Sequence, residues 1–147
     1  MTSGTQESLR IAAPPGEVLD VVADVEAYPE WSDDMTSAVV LSEDEDGWPD
    51  QVEFTVDAGV IKDTYVLEYT WDVDEDGAGE VSWSLVRSAK LRSMDGAYLL
   101  TPDGDGTLVT YRLTVDVAVP LPGMLRRKAE KSIVSTALSG LRRRVEG

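Results

Sequence analysis

The chain has 147 residues, with 28 acidic and 13 basic side chains, a net charge of −15, and neither histidine nor cysteine. These counts exclude disulfides, thiolate nucleophiles, serine–histidine triads and the usual zinc sites, leaving acid–base chemistry to Asp, Glu, Tyr, Lys and Arg. The charge is uneven: residues 126–147 carry seven basic side chains against Glu130 and Glu146, so the rest of the chain carries −20.

An acidic body repels nucleic-acid phosphates and anionic lipid heads, so no nucleic-acid partner and no stable membrane insertion are expected. No apolar run has the length of a membrane span, and residues 1–7 are polar, without the apolar segment of an export signal. A cytoplasmic location and a single domain over residues 1–147 are the expectations that follow.

Residues 6–12 read as a short strand, with Leu9 and Ile11 alternating against Arg10. Pro14-Pro15 opens a short helix, because proline needs no amide partner in a first turn, and Val18, Val22 and Val25 give it one apolar face. Tyr28-Pro29-Glu30-Trp31 forms a second short turn whose aromatics point back toward the core.

From about residue 37 the period becomes two. Val52, Phe54 and Val56 share one face; so do Tyr65, Leu67, Tyr69 and Trp71, then Val81, Trp83 and Leu85, and finally Val109, Tyr111, Leu113 and Val115. Each strand has one buried and one wet face, and acidic glycine-containing turns at 44–47, 74–79 and 103–106 join them into an antiparallel meander. If Trp71 and Trp83 pair, Tyr69 meets Leu85 and Leu67 meets Arg87; in the last hairpin Leu100 meets Val109 and Tyr98 meets Tyr111.

After Pro120-Leu121-Pro122-Gly123 the period is helical to the end, with Leu125, Ala129, Ile133, Ala137, Leu141 and Val145 four apart and Val134 and Leu138 beside them. At 1.5 Å per residue this helix is about 30 Å long, enough to cross a sheet.

Two segments resemble the start of a calcium loop. Asp72-x-Asp74-x-Asp76-Gly77 has Trp83 where a bidentate Glu belongs, and Ser42-x-Asp44-x-Asp46-Gly47 has Pro49 in its second half. Both are read as hairpin turns, and no metal or cofactor is expected.

A stripe of small residues, Ala129, Ser132, Thr136 and Gly140, runs along the C-terminal helix. It either leaves a cavity of roughly 300–1,000 Å³ or permits tight packing. Four Trp and five Tyr against one Phe is a polar aromatic set, suited to a lined cavity whose hydroxyls need partners. Arg87 falls on the inner face by parity. Its strand ends before it, or it pairs with a carboxylate such as Asp63, or it holds an anionic group of a ligand. Gly59-Val60-Ile61 at a hairpin tip is a lid, a contact patch or an ordinary turn.

The order of strand, short helical pair, meander and long helix resembles the START-like (SRPBCC) superfamily, most closely its bacterial polyketide cyclase/dehydrase and coenzyme-Q-binding branch. The residues that carry the likeness are Ala13-Pro14 through Val22, Tyr28-Pro29-Glu30-Trp31, Gly96-Ala97-Tyr98-Leu99-Leu100, Gly106-Thr107-Leu108-Val109-Thr110-Tyr111 and Leu121-Pro122-Gly123.

The resemblance implies an α+β helix-grip fold: a curved antiparallel sheet of six to seven strands wrapped around the C-terminal helix, with two short helices after the first strand and a hydrophobic cavity between sheet and helix. It implies binding of a lipid, quinone, aromatic or polyketide-like molecule by an intracellular carrier or sensor. The alternatives are a polyketide aromatase/cyclase-dehydratase acting in the same cavity and a protein-interaction module with a filled core. The family's shared sequence carries no catalytic motif to transfer, so catalytic residues are not assigned and the protein partner is unknown.

The expected ligand-binding residues are Trp31, Phe54, Val56, Tyr65, Leu67, Tyr69, Trp83, Leu85, Arg87, Tyr98, Tyr111 and Leu113, with Met124, Ala129, Ser132, Ile133 and Thr136 from the helix.

Overall fold

A computed structural model describes residues 4–57, 62–118 and 122–147. Strand β1 (Thr5–Ile11) leads through Pro14 into helix α1 (Pro15–Ala23) and a 3-10 helix (Val25–Glu30). Strands β2 (Met35–Glu43), β3 (Pro49–Asp57), β4 (Lys62–Val73), β5 (Gly79–Ser88), β6 (Leu91–Asp103) and β7 (Gly106–Val117) follow, then helix α2 (Gly123–Glu146). The strands form one antiparallel sheet ordered β1-β7-β6-β5-β4-β3-β2, so only β1 leaves the sequential order. The Gly59-Val60-Ile61 tip lies outside the described residues.

The acidic segments are hairpin turns. Asp44 Oδ1 accepts the amides of Asp46 and Trp48 at 2.9 and 3.0 Å, and Asp74 Oδ1 accepts those of Asp76 and Ala78 at 2.9 and 3.1 Å. Gly47 (φ 88°) and Gly77 (φ 90°) supply the left-handed residue each turn requires. At the third turn Arg10 of β1 pairs with Asp103 and Asp105 at 3.2 and 3.0 Å.

These turns set the register, and in one hairpin it differs from the expectation. Leu100–Val109 and Tyr98–Tyr111 pair as expected. In β4–β5, however, Tyr69 meets Trp83, Leu67 meets Leu85 and Trp71 meets Val81. The Asp74 amide closes the turn on the Ala78 carbonyl at 2.8 Å, placing Val73 opposite Gly79 whatever the aromatic matching. Trp71 instead stacks on Trp48 at 4.9 Å and donates its Nε1–H to the Pro49 carbonyl at 2.7 Å. Further along, a bulge at Val66/Leu67 sets Val66 opposite Arg87 and leaves Arg87 exposed.

The core lies between the inner sheet face, α1 and the C-terminal half of α2. Val18 and Val22 of α1 and Val134, Leu138 and Leu141 of α2 are fully buried. The N-terminal half of α2 departs from the expected stripe: Leu125 is 51% and Ile133 42% exposed, and Glu130 is the sole buried residue before Val134. Glu130 Oε2 accepts the Val115 amide at 2.7 Å, and Oε1 accepts Thr5 Oγ1 at 3.1 Å. The carboxylate thus ties α2 to β7 where β1 begins.

Candidate functional site

Between the inner sheet face and the N-terminal half of α2 a cavity of about 220 Å³ remains. Its walls come from β2 to β7, the 3-10 helix with the segment after it, and α2. It is smaller than the span expected from the sequence, though larger than the roughly 150 Å³ apolar cavity that accepts benzene.

All five tyrosines of the chain, Tyr28, Tyr65, Tyr69, Tyr98 and Tyr111, line this space. Their grouping is a consequence of register. Tyr98 and Tyr111 pair across β6–β7 with rings edge to face at 4.6 Å, and Trp83 lies 5.4 Å from Tyr98, 5.5 Å from Tyr111 and 5.6 Å from Tyr69. The Trp83 indole can lie there because its partner is Gly96. A Cβ on Gly96 would stand 2.5 Å from the indole ring.

Burial raises every one of the five phenol pKa values above the ordinary range, with neighbouring hydroxyls adding to the shift at four of them and Asp63 at Tyr65. All five therefore stay protonated at neutral pH, offering hydrogen bonds and no phenolate base. Tyr28 Oη donates to the Val22 carbonyl.

Of the three carboxylates in the wall, Asp63 and Glu130 are engaged, while Asp34 is exposed. Ser88 Oγ donates to Asp63 Oδ2, and Glu130 accepts from Val115 and Thr5. Trp31, packed edge to face on Tyr28 at 5.1 Å, has a buried Nε1–H with no hydrogen-bond acceptor among the described residues.

A conserved-pattern comparison decides the family: residues 11–142 match the family model described as polyketide cyclase/dehydrase and lipid transport. The chain belongs to this family. No curated protein sequence matches the chain. A START superfamily protein from Mycobacterium smegmatis superposes with a TM-score of 0.89 at 22% identity, each chain covered to 97%. The Zhui aromatase/cyclase from Streptomyces sp. R1128 has a TM-score of 0.77 at 17% identity, over 98% of this chain and 93% of that one. A STAR-related lipid transfer protein from Xanthomonas axonopodis has a TM-score of 0.76 at 21% identity, over 99% and 87%. At these identities the likeness is one of fold.

In this member of the polyketide cyclase/dehydrase family, many of the expected site residues meet at the cavity. Trp31, Phe54, Val56, Tyr65, Leu67 and Tyr69 line it, as do Trp83, Tyr98, Tyr111, Ala129, Ile133 and Thr136. Five others do not. Leu85 pairs with Leu67 but stays out of the wall, Arg87 is exposed past the bulge, Leu113 is buried outside the cavity wall, Met124 is 73% exposed, and Ser132 turns to solvent.

The small-residue stripe divides the same way. Ala129 and Thr136 face the space, but Gly140 is packed, since a Cβ there would stand 3.0 Å from the Trp31 carbonyl oxygen. Sequence reasoning missed Glu130, Arg126 and Met94 in the wall. The available signal for Arg126 and Glu130 was their spacing from Ala129 and Ile133 on one helix side; both had been counted only as charges.

Proposed function

We propose that the protein binds a small aromatic molecule bearing hydroxyl or carbonyl groups in this cavity and serves as its carrier or sensor. The observation that carries this reading is the convergence of all five tyrosines on one apolar-walled space. Aromatic walls supply affinity by burial, and protonated phenols supply orientation by donating to or accepting from polar substituents. A volume of about 220 Å³ suits one or two fused rings better than a sterol.

Binding is favoured over cyclisation by the state of the polar groups. A cyclase needs convergent acid and base, whereas here the phenols are held neutral, two of the three wall carboxylates, Asp63 and Glu130, are bound to the protein's own donors, and the third, Asp34, is exposed. An interaction module with a filled core has no use for the space.

Calorimetric titration with 1-naphthol tests the proposal. Saturable one-site binding, lost in Ala129→Trp while the fold persists, is the expected result. Absence of saturable binding by 1-naphthol and by one- and three-ring analogues, or equal binding by the blocked variant, would remove the cavity from the function.

A further inference from the structure

Net charge alone argues against contact with an anionic surface, but the fold separates the charges. Because the strands alternate in direction, the turns at Asp44–Asp46, Asp74–Asp76 and Asp103–Asp105 all emerge at one end of the sheet. The start of α2 lies at the opposite end. Asp63, Leu91, Val117 and Arg126, which line the cavity, belong to that second end too, so the cavity opens there.

Around this mouth the first half of α2 is basic and apolar at once. Met124 is 73%, Leu125 51% and Ile133 42% exposed, and Arg127, Lys128 and Lys131 are exposed among them. Leu125, Ala129 and Ile133 recur four apart, continuing the cavity wall outward, while Met124, Lys128 and Lys131 form the adjacent row. The only acid in residues 122–142 is Glu130, which is buried. Elsewhere at this end Lys62 pairs with Asp57 and Arg92 with Asp116, and the exposed acids Asp33 and Asp34 before β2 are matched in number by the exposed bases Arg87 and Lys90, which leaves α2 as the basic excess.

We infer that the N-terminal half of α2 is a docking surface for an anionic lipid bilayer, meeting it mouth first and with the acidic turns held away. Lysines and arginines meet the phosphates, and Met124 and Leu125 enter the headgroup layer, as on an interfacial amphipathic helix. An acidic protein would satisfy the lysines but leave the apolar rim beside the mouth without a role. The contact is peripheral: among the described residues no helix is long and apolar enough to cross a membrane. The inference rests on surface charge and exposure, independent of what the cavity binds.

The test is co-sedimentation of the full chain, without added ligand, on phosphatidylcholine vesicles with and without roughly 30% phosphatidylserine. Binding is expected only to the anionic vesicles at about 0.1 M salt and is lost at about 1 M, as the screening length falls from about 10 Å to about 3 Å. Each basic group at such a surface multiplies binding about fivefold, so Lys128→Glu/Lys131→Glu lowers partitioning by at least about 25-fold. Met124→Ser/Leu125→Ser, which keeps the charge, also lowers it.

Arg142→Glu/Arg143→Glu makes the same charge change at the far end of α2 and leaves binding within about twofold of the parent. Equal loss in both charge-reversal variants would overturn the mouth-first geometry. No sedimentation with anionic vesicles would overturn the lipid surface, and if binding to polyglutamate then depends on Lys128 and Lys131, the patch belongs to an acidic protein. Either failure leaves 1-naphthol binding untouched.

Discussion

Two substitutions on one helix distinguish empty space from close packing. Ala129 and Gly140 belong to the same stripe of small residues, yet only Ala129 borders the cavity. Ala129→Leu adds three carbons. At about 0.8 kcal/mol per buried methylene, placing them in the 220 Å³ space stabilises the fold by about 2 kcal/mol, a rise of about 4–8 °C in Tm for a chain of this size. Gly140→Ala gains about 1 kcal/mol of helix propensity. Its new methyl, however, would lie 3.0 Å from the Trp31 carbonyl oxygen and 3.1 Å from the Trp31 ring, and such crowding costs about 1–3 kcal/mol. The net is a loss of up to about 2 kcal/mol. Scanning calorimetry on both variants, with 1-naphthol titrations alongside, reads out the contrast: Ala129→Leu melts higher and binds more weakly, and Gly140→Ala melts lower and still binds. If Ala129→Leu melts lower and Gly140→Ala higher, the assignment of cavity and packing along α2 is wrong.

Glu130→Leu leaves the buried Val115 amide without an acceptor and lowers stability by about 1–3 kcal/mol in urea unfolding, whereas Glu130→Gln keeps an acceptor oxygen and loses less. The tyrosines predict an alkaline transition. Their folded pKa values are raised, so their contribution to stability is complete below the unfolded phenol value of about 10 and falls as pH rises above it. A pH titration of ultraviolet absorbance should therefore show no phenolate from the native protein at pH 10, then a cooperative rise coincident with loss of circular dichroism. Normal titration of even one tyrosine would contradict the placement of all five in the cavity wall. Arg87→Ala changes neither 1-naphthol affinity nor stability beyond about 0.5 kcal/mol, because Arg87 is on the surface.

The sequence revealed the architecture because each element satisfies a local rule. Pro15 starts α1, period-two alternation marks the strands, and aspartate–glycine turns separate them. Tyr98 and Tyr111 were placed face to face because their hairpin closes tightly on Asp103 and Gly106. The β4–β5 pairing was misjudged by two residues because aromatic matching outweighed the turn closure, and the bulge beside Arg87 breaks the parity on which its inward placement relied. The helix was the least legible element. Its four-residue period does not distinguish packing against the sheet from forming the mouth of a cavity, so Leu125 and Ile133 looked like core. Glu130 looked like surface charge because its acceptor role depends on where β1 begins, more than a hundred residues earlier in the chain.

The position of β1 also shapes how this molecule assembles. From β2 to β7 each strand pairs with its sequence neighbour through a hairpin, a local event on the microsecond scale. β1 must instead find β7, and Ser8 and Thr110 come within 2.8 Å across 102 residues of chain. Closing so long a loop is entropically costly, and contacts of that separation form late. α2, latched to both β1 and β7 through Glu130, completes its docking in the same step. The α2 wall of the cavity is therefore complete only in the finished protein. A molecule that binds in the cavity would meet no partial site during folding, and would add RT ln(1 + [L]/Kd) to native stability and nothing to the intermediates. Loaded protein should consequently unfold more slowly than empty protein, while both refold at the same rate.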